Sequence, residues 1–291
     1  MDISLLGQLL INGLILGAIY ALVAVGLSLI FGVLEIVNFA HGQIFALGAF
    51  AMLVLSNWLG LPYVVGVAAS GALIAMVGFL LYESLLKHLK SGEFERGIIL
   101  TLAIGMILQN TLLATVGATP HIIDFPEVYS RIEFLGVGVE QLRLTAAAIA
   151  LGTLAAVWWL LTRTRFGMAM RALAQNPLAA TVVGMNPKRV AGHAVILGMG
   201  LTGMAGASLA PLFTVHPLLG VSLLFKAFAI VIIGGLGHIP GAAVAALIVG
   251  LAESFAGGLG STVLQDVVVF GLMIVLLQVK PLGLFGQGVR I

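Results

Sequence analysis

The sequence contains no cysteine, which rules out a disulfide framework, a thiol nucleophile and a thiolate metal site. Charge is nearly as scarce. Only 8% of the 291 residues are Asp, Glu, Lys or Arg, against about 25% in soluble domains. That excludes a solvated soluble domain. No Lys or Arg precedes Lys87, so the start "MDISLLGQLL" lacks the basic region of a removable signal peptide, and the first apolar run is expected to stay in the protein. The phosphate-cradling pattern G-x-x-x-x-G-K-[ST] is missing, and no cluster of His, Asp and Glu has metal-ligand spacing. If ATP drives this protein, another chain binds it.

Apolar residues fill the space that charge leaves. They make up 61% of the chain, and the mean hydropathy is +1.20. Runs of roughly 18 or more apolar residues, the length that crosses the hydrocarbon core as helix, recur from Leu5–Ile30 to Thr262–Val279. The expected fold is an all-α polytopic membrane protein with roughly eight or nine transmembrane helices, forming one domain over residues 1–291. Charge placement orients it. Residues 162–190 carry Arg163, Arg165, Arg171, Lys188 and Arg189 with no acid, which makes this loop cytoplasmic by the positive-inside rule. Lys87, Lys90 and Arg96 fall on the same side, whereas Asp124, Glu127, Glu133 and Glu140 mark an outer connection. Counting crossings back puts the N-terminus outside, and Lys280 and Arg290 put the C-terminus inside. Trp58, Tyr63, Trp158 and Trp159 are expected at the interfaces.

Small residues at every fourth position, such as Gly13, Gly17 and Ala21 or Gly198, Thr202, Gly206 and Ala210, predict close helix packing. Two apolar runs are interrupted. In "GVLEIVNFAHGQ" the polar residues fit a wet cytoplasmic turn. They equally fit a broken or re-entrant segment near 32–43, with Asn38 capping the restarted helix and Asn38, His41, Gly42 and Gln43 beside a path for solute. The second, "VIIGGLGHIPGAAVAAL", places Gly234, Gly235 and Gly237 before His238, an interruption near 233–241. Paired interruptions of this kind point to a transport pathway. Gln109, Asn110 and Glu253 are further candidates for its lining, while Lys226 and Asp266 lie near helix ends, where snorkelling suffices.

The basic loop is patterned. Met168–Leu173 reads as short helix, Asn176 and Pro177 as a helix start, and Gly184 as its stop. Such an element either rests on lipid headgroups or docks a soluble partner. Taken together, "GLSLIFGVLEIVNFAHGQIFALGAF", "RTRFGMAMRALAQNPLAATVVGMNPKRV", "GLTGMAGASLAP" and "AFAIVIIGGLGHIPGA" resemble the LivH-type permeases of bacterial ABC importers for branched-chain amino acids, across essentially the whole chain. The resemblance implies that residues 162–190 form the loop coupling the permease to its ATPase, carried over to Arg171, Ala172, Ala180, Gly184, Asn186 and Arg189. Ala174, Gln175 and Asn176 stand where a strict E-A-A motif is sought.

The resemblance further implies a second permease subunit as heterodimer or homodimer, a pair of cytoplasmic ATPases that use ATP and Mg, and a periplasmic or extracellular substrate-binding protein. It implies no cofactor on this chain, no catalysis by it, no nucleic-acid partner, and residence among the lipids of the bacterial inner membrane. Two other readings stay open at this point. One is an ion-coupled secondary amino-acid transporter, for which His41 and Glu253 are the tempting ion-site residues. The other is a membrane scaffold that recruits a soluble partner through the basic loop. Other amino acids, urea or short amides compete with leucine, isoleucine and valine as substrates.

Overall fold

The computed structural model describes residues 3–89, 93–125, 130–134, 137–258, 260 and 262–286. Lys90, Glu127 and Arg290, used above for orientation, lie outside the described residues. Among the described residues, eleven α-helices account for most of the structure: α1 (Ile3–Leu34), α2 (His41–Leu59), α3 (Tyr63–Ser84), α4 (Phe94–Val116), α5 (Gln141–Arg163), α6 (Arg165–Gln175), α7 (Pro177–Val182), α8 (Pro187–Leu209), α9 (Leu219–Gly234), α10 (Ile239–Gly258) and α11 (Thr262–Val279). Seven of the described helices are long and apolar enough to span a membrane, and α9 and α11 are shorter apolar helices. Among the described residues, an antiparallel hairpin, β1 (Arg131–Phe134) with β2 (Val137–Glu140), departs from the all-α architecture.

The bundle is organised around α1. This helix is about 48 Å long at 1.5 Å per residue, and every residue from Gly17 to Ile30 is buried. A helix apolar on all sides belongs in the centre of its bundle, and α1 packs against α10, α8, α5 and α9. Outer helices behave differently. Met106 and Ile107 on α4, Leu151, Trp158 and Trp159 on α5, and Val267, Ile274 and Val275 on α11 face outward, as lipid-contacting residues do.

Between α1 and α8 the backbones nearly touch. A Cβ added at Gly26 would stand 2.5 Å from the Gly198 carbonyl oxygen, and one at Gly198 would stand 2.6 Å from that of Gly26. Lipid tails are as apolar as leucine, so such close approach, rather than hydrophobic transfer, holds membrane helices together. Gly13 and Gly17 make the corresponding approach to α10.

Long-range bonds sort the connections onto two faces. On one, Gln8 Nε2 donates to the Gly138 carbonyl (3.0 Å), Ser254 Oγ donates to the Leu9 carbonyl (2.7 Å), and His121 exchanges backbone bonds with Val215. This face carries Asp124, Glu133 and Glu140, and also Arg131 and Arg143. On the opposite face Gly237 packs on Gly32, and the Tyr82 hydroxyl donates to the Lys188 carbonyl. Lys87, Arg163, Arg165, Arg171, Lys188 and Arg189 gather there, so it is called the inner face, following the positive-inside rule. Tyr63 departs from the expected aromatic belt. It is buried, and its hydroxyl donates to the Ser208 carbonyl (2.9 Å).

Candidate functional site

Helix α1 ends at Leu34 and α2 restarts at His41, with Glu35 in a left-handed backbone conformation (φ 54°) between them. Glu35 is exposed, but Ile36, Asn38, Ala40, His41 and Gln43 are buried. The segment is therefore a buried turn, not a wet one. Several of its backbone groups find partners within the protein. Asn38 Oδ1 accepts from Ala40 N (3.1 Å), the Asn38 carbonyl accepts from His41 N (3.2 Å), and Phe39 N donates to Thr101 Oγ1 on α4 (3.2 Å). Asn38 thus shapes the residues just before α2, whose N-cap position is Ala40 without a side-chain cap.

His41 is fully buried where α1, α2 and α8 meet. Its Nε2 lies 3.1 Å from the Val23 carbonyl and 2.8 Å from Thr202 Oγ1, and the Thr202 hydroxyl donates to the Gly198 carbonyl (2.9 Å). With that hydroxyl proton committed, Nε2 is the donor to both oxygens, which assigns the tautomer from the network. The neighbouring Gly42 lets α2 cross α9, since a Cβ there would collide with the Gly220 carbonyl. Gln43 Nε2 reaches Gln109 Oε1 on α4 (3.2 Å). Asn110 does not join: it is exposed, and its amide donates to its own helix at Met106 (2.8 Å).

The second interruption is a tight hairpin between α9 and α10. Gly235 (φ 101°) and Gly237 (φ 76°) adopt left-handed conformations, and Gly234 abuts Gly241. His238 Nδ1 accepts from Gly241 N (3.0 Å) and its ring stacks on Phe285 (5.6 Å). The chain after α11 covers the turn, with Leu284 N donating to the Ile233 carbonyl (2.8 Å). The two interruptions meet at the inner face through Gly32 and Gly237, while Phe39 and Phe228 contact at 5.2 Å nearby.

One group was undervalued on sequence grounds. Lys226 does not snorkel to the membrane surface. Lys226 Nζ lies 2.6 Å from Glu253 Oε1 and 3.3 Å from Asp266 Oδ1, joining α9, α10 and α11. The Lys226 and Glu253 side chains are only 12% and 6% exposed. Lys226 is about 10 Å along α9 from its outer end at 1.5 Å per residue. Charge within an apolar run was the available signal, but nothing local to either run says that the two meet.

On the inner face, the basic loop forms two helices. Thr164 Oγ1 accepts from Gly167 N at the start of α6, Asn176 Oδ1 accepts from Ala179 N (2.9 Å) at the start of α7, and Asn186 Oδ1 accepts from Arg189 N (3.3 Å) at the start of α8. Pro177 follows its cap at the first helical position, and Gly184 (φ 84°) turns the chain after α7. Of the residues carried over by resemblance, Arg171 is clamped onto the Leu161 carbonyl. Ala180 is buried and Ala172 half-buried, and Gly184, Asn186 and Arg189 are exposed. The outward tip consists of Leu178, Val182 and Val183, exposed by 80%, 86% and 71%. Their signal was the apolar pair at i and i+4 in a helix too short to bury it.

A bundle of membrane-crossing helices with a capped hairpin on its basic face defines a polytopic membrane protein. Comparison with known proteins resolves the class. The chain belongs to the family described as the permease component of branched-chain amino acid transport systems, whose model matches residues 9–277. It is similar to the high-affinity branched-chain amino acid transport system permease protein BraD of Pseudomonas aeruginosa, with 27% identity covering 96% of this chain and 95% of that protein. The permease protein LivH of Escherichia coli K12 is 28% identical over the same shares. The probable LivH protein of Methanocaldococcus jannaschii is 28% identical over 96% of this chain and 92% of its own length. The chain is thus a multi-pass, non-catalytic permease subunit.

Proposed function

We propose that this chain is the permease subunit of an ABC importer that carries branched-chain or related amino acids across the cytoplasmic membrane. Its relatives named above are branched-chain amino acid permeases, and the chain itself has no phosphate-binding loop. ATP and Mg belong to a pair of partner ATPases seated on residues 162–190. A periplasmic or extracellular binding protein delivers the substrate to the outer face, and a second permease, this chain or a similar one, completes the pathway.

The observation that carries the reading is the exposed tip of Leu178, Val182 and Val183. It stands on the face where the basic residues gather, on helices whose starts are capped by Asn176 and Asn186. Apolar side chains in that position are matched by an apolar cleft on a soluble partner. Arg171, Ala172, Ala180 and Gly184 then act by holding the hairpin in shape, and Arg189 stands exposed near its base. Asn38, His41, Gly42 and Gln43 tie the start of α2 to α1, α4, α8 and α9, and Gly234, Gly235 and Gly237 shape the inner turn between α9 and α10. Gln109 braces α2 from α4, and Asn110 faces outward.

The test is gentle purification of tagged wild type and of Val182→Glu/Val183→Glu from the native membrane. ATPase subunits that accompany the wild type and are lost from the variant support the proposal. A wild-type chain that purifies without any ATPase, or uptake that survives ATP depletion while an ion gradient remains, would overturn it.

A further inference from the structure

The Lys226–Glu253 pair adjoins a series of cavities that begins at the outer face. The first, about 210 Å³, lies among Gln8, Arg131, Glu140 and Arg143. The second, about 390 Å³, shares Asn12 and Arg143 with it and continues past Ser254 to Gln265. The third, about 190 Å³, shares Leu209, Phe213 and Gln265 with the second and is walled by Tyr20, Lys226 and Glu253. Each cavity borders the next through shared residues, and polar side chains mark the whole route.

Both members of the pair retain bonding capacity. Two carboxylate oxygens lie within 3.3 Å of Lys226 Nζ, which leaves one N–H of the ammonium unused. Glu253 spends Oε1 on Lys226. The Tyr20 phenol faces the same carboxylate, yet Oε2, on a residue 4% exposed, has no hydrogen bond of normal geometry among the described residues. Stability does not account for such a pair, because an apolar replacement of similar volume is often neutral or stabilising. An ionisable pair inside a membrane domain is a candidate for function.

We propose that the third cavity is a transient binding site for the zwitterion of a small aliphatic amino acid. Lys226 Nζ receives the substrate carboxylate and Glu253 Oε2 receives the substrate ammonium. Phe45, Leu219 and Leu223 on the remaining wall take the aliphatic side chain. Both charges dock without breaking the ion pair, so the site opens no uncompensated charge when the substrate leaves. Binding is weak for the same reason, which suits a site that must release its substrate inward. This inference rests on the importer reading above.

The assembled wild-type importer in proteoliposomes is compared with Glu253→Gln and with the exchanged pair Lys226→Glu/Glu253→Lys, which keeps an ion pair but reverses its polarity. Radiolabelled leucine uptake is read beside ATP hydrolysis stimulated by the binding protein, which reports folding and assembly. Loss of a charge-assisted bond in Glu253→Gln, and reversed polarity in the exchanged pair, which turns the aliphatic side chain away from its apolar wall, predict uptake lower by about tenfold or more in both variants, with stimulated hydrolysis retained. Wild-type uptake that persists undiminished in both variants would overturn the site while leaving the importer intact. Absence of leucine uptake by the wild type would instead refute the importer reading itself.

Discussion

His41 and Lys226 are both polar side chains sunk in the same helical bundle, yet their surroundings differ. His41 sits at a three-helix crossing, with Nε2 bonded to α1 and α8, Nδ1 buried without a hydrogen-bond partner among the described residues, and close-packed glycines around it. Lys226 and Glu253 meet beside a cavity that both of them line. The first arrangement fastens helices. The second leaves valency for a guest. Polarity inside an apolar run is therefore no guide to function until the neighbours are known: a filled crossing and a lined cavity make opposite uses of it.

The largest effect expected from breaking this contrast comes from Lys226→Met. It strands the buried Glu253 carboxylate and should cost about 3–5 kcal/mol, read as a lower unfolding temperature of the purified complex. Lys226→Met/Glu253→Met should restore most of that stability without restoring uptake. A double variant that transports normally would place the pair with His41 as mere structure.

Next comes Gly26→Val. Its side chain cannot fit 2.5 Å from the Gly198 carbonyl, and the displaced α1–α8 contact should cost about 1–3 kcal/mol or more, measured by the same unfolding curve. Gly152→Ala, at a glycine with open space around it, is the matched control and should change little.

His41→Leu removes the bonds to Val23 and Thr202 and should cost about 1–3 kcal/mol. Because this centre fastens rather than binds, leucine uptake per mole of assembled complex should stay near wild type, even where the yield of complex falls. A stable, fully assembled variant without uptake would move His41 to the pathway and erase the distinction. The smallest effect is Asn176→Ala, which removes the cap of α7 at about 1 kcal/mol. It should speed amide exchange over residues 178–182 and leave the unfolding temperature of the bundle unchanged.

Local signals were legible at the start. Asn176, Pro177 and Gly184 marked a helix start and stop that the structure places at α7 and the turn after it, because caps and left-handed turns depend on a few neighbouring residues. The small-residue rows at Gly13 and Gly17 and at Gly198 and Gly206 likewise matched close contacts with α10, α1 and α2. Less legible were the tip residues Leu178, Val182 and Val183, which look like ordinary apolar residues until the fold leaves them uncovered. Least legible was the ion pair. Lys226 looked like a charge near a helix end and Glu253 like a solitary candidate for the pathway, and only the crossing of α9 with α10 turned them toward each other.

By itself the sequence determined the solvent this protein lives in, the helices that cross it, the face that gathers basic charge and the capped hairpin on that face. Those properties follow from the composition of single segments, since a run of residues partitions into hydrocarbon or caps a helix largely on its own account. Only the tertiary structure decided which buried polar groups became partners. His41 and Thr202 are 161 residues apart, and Lys226 and Glu253 are 27 apart. Such meetings depend on how closely helices approach and which faces they turn inward, and no segment carries that information alone.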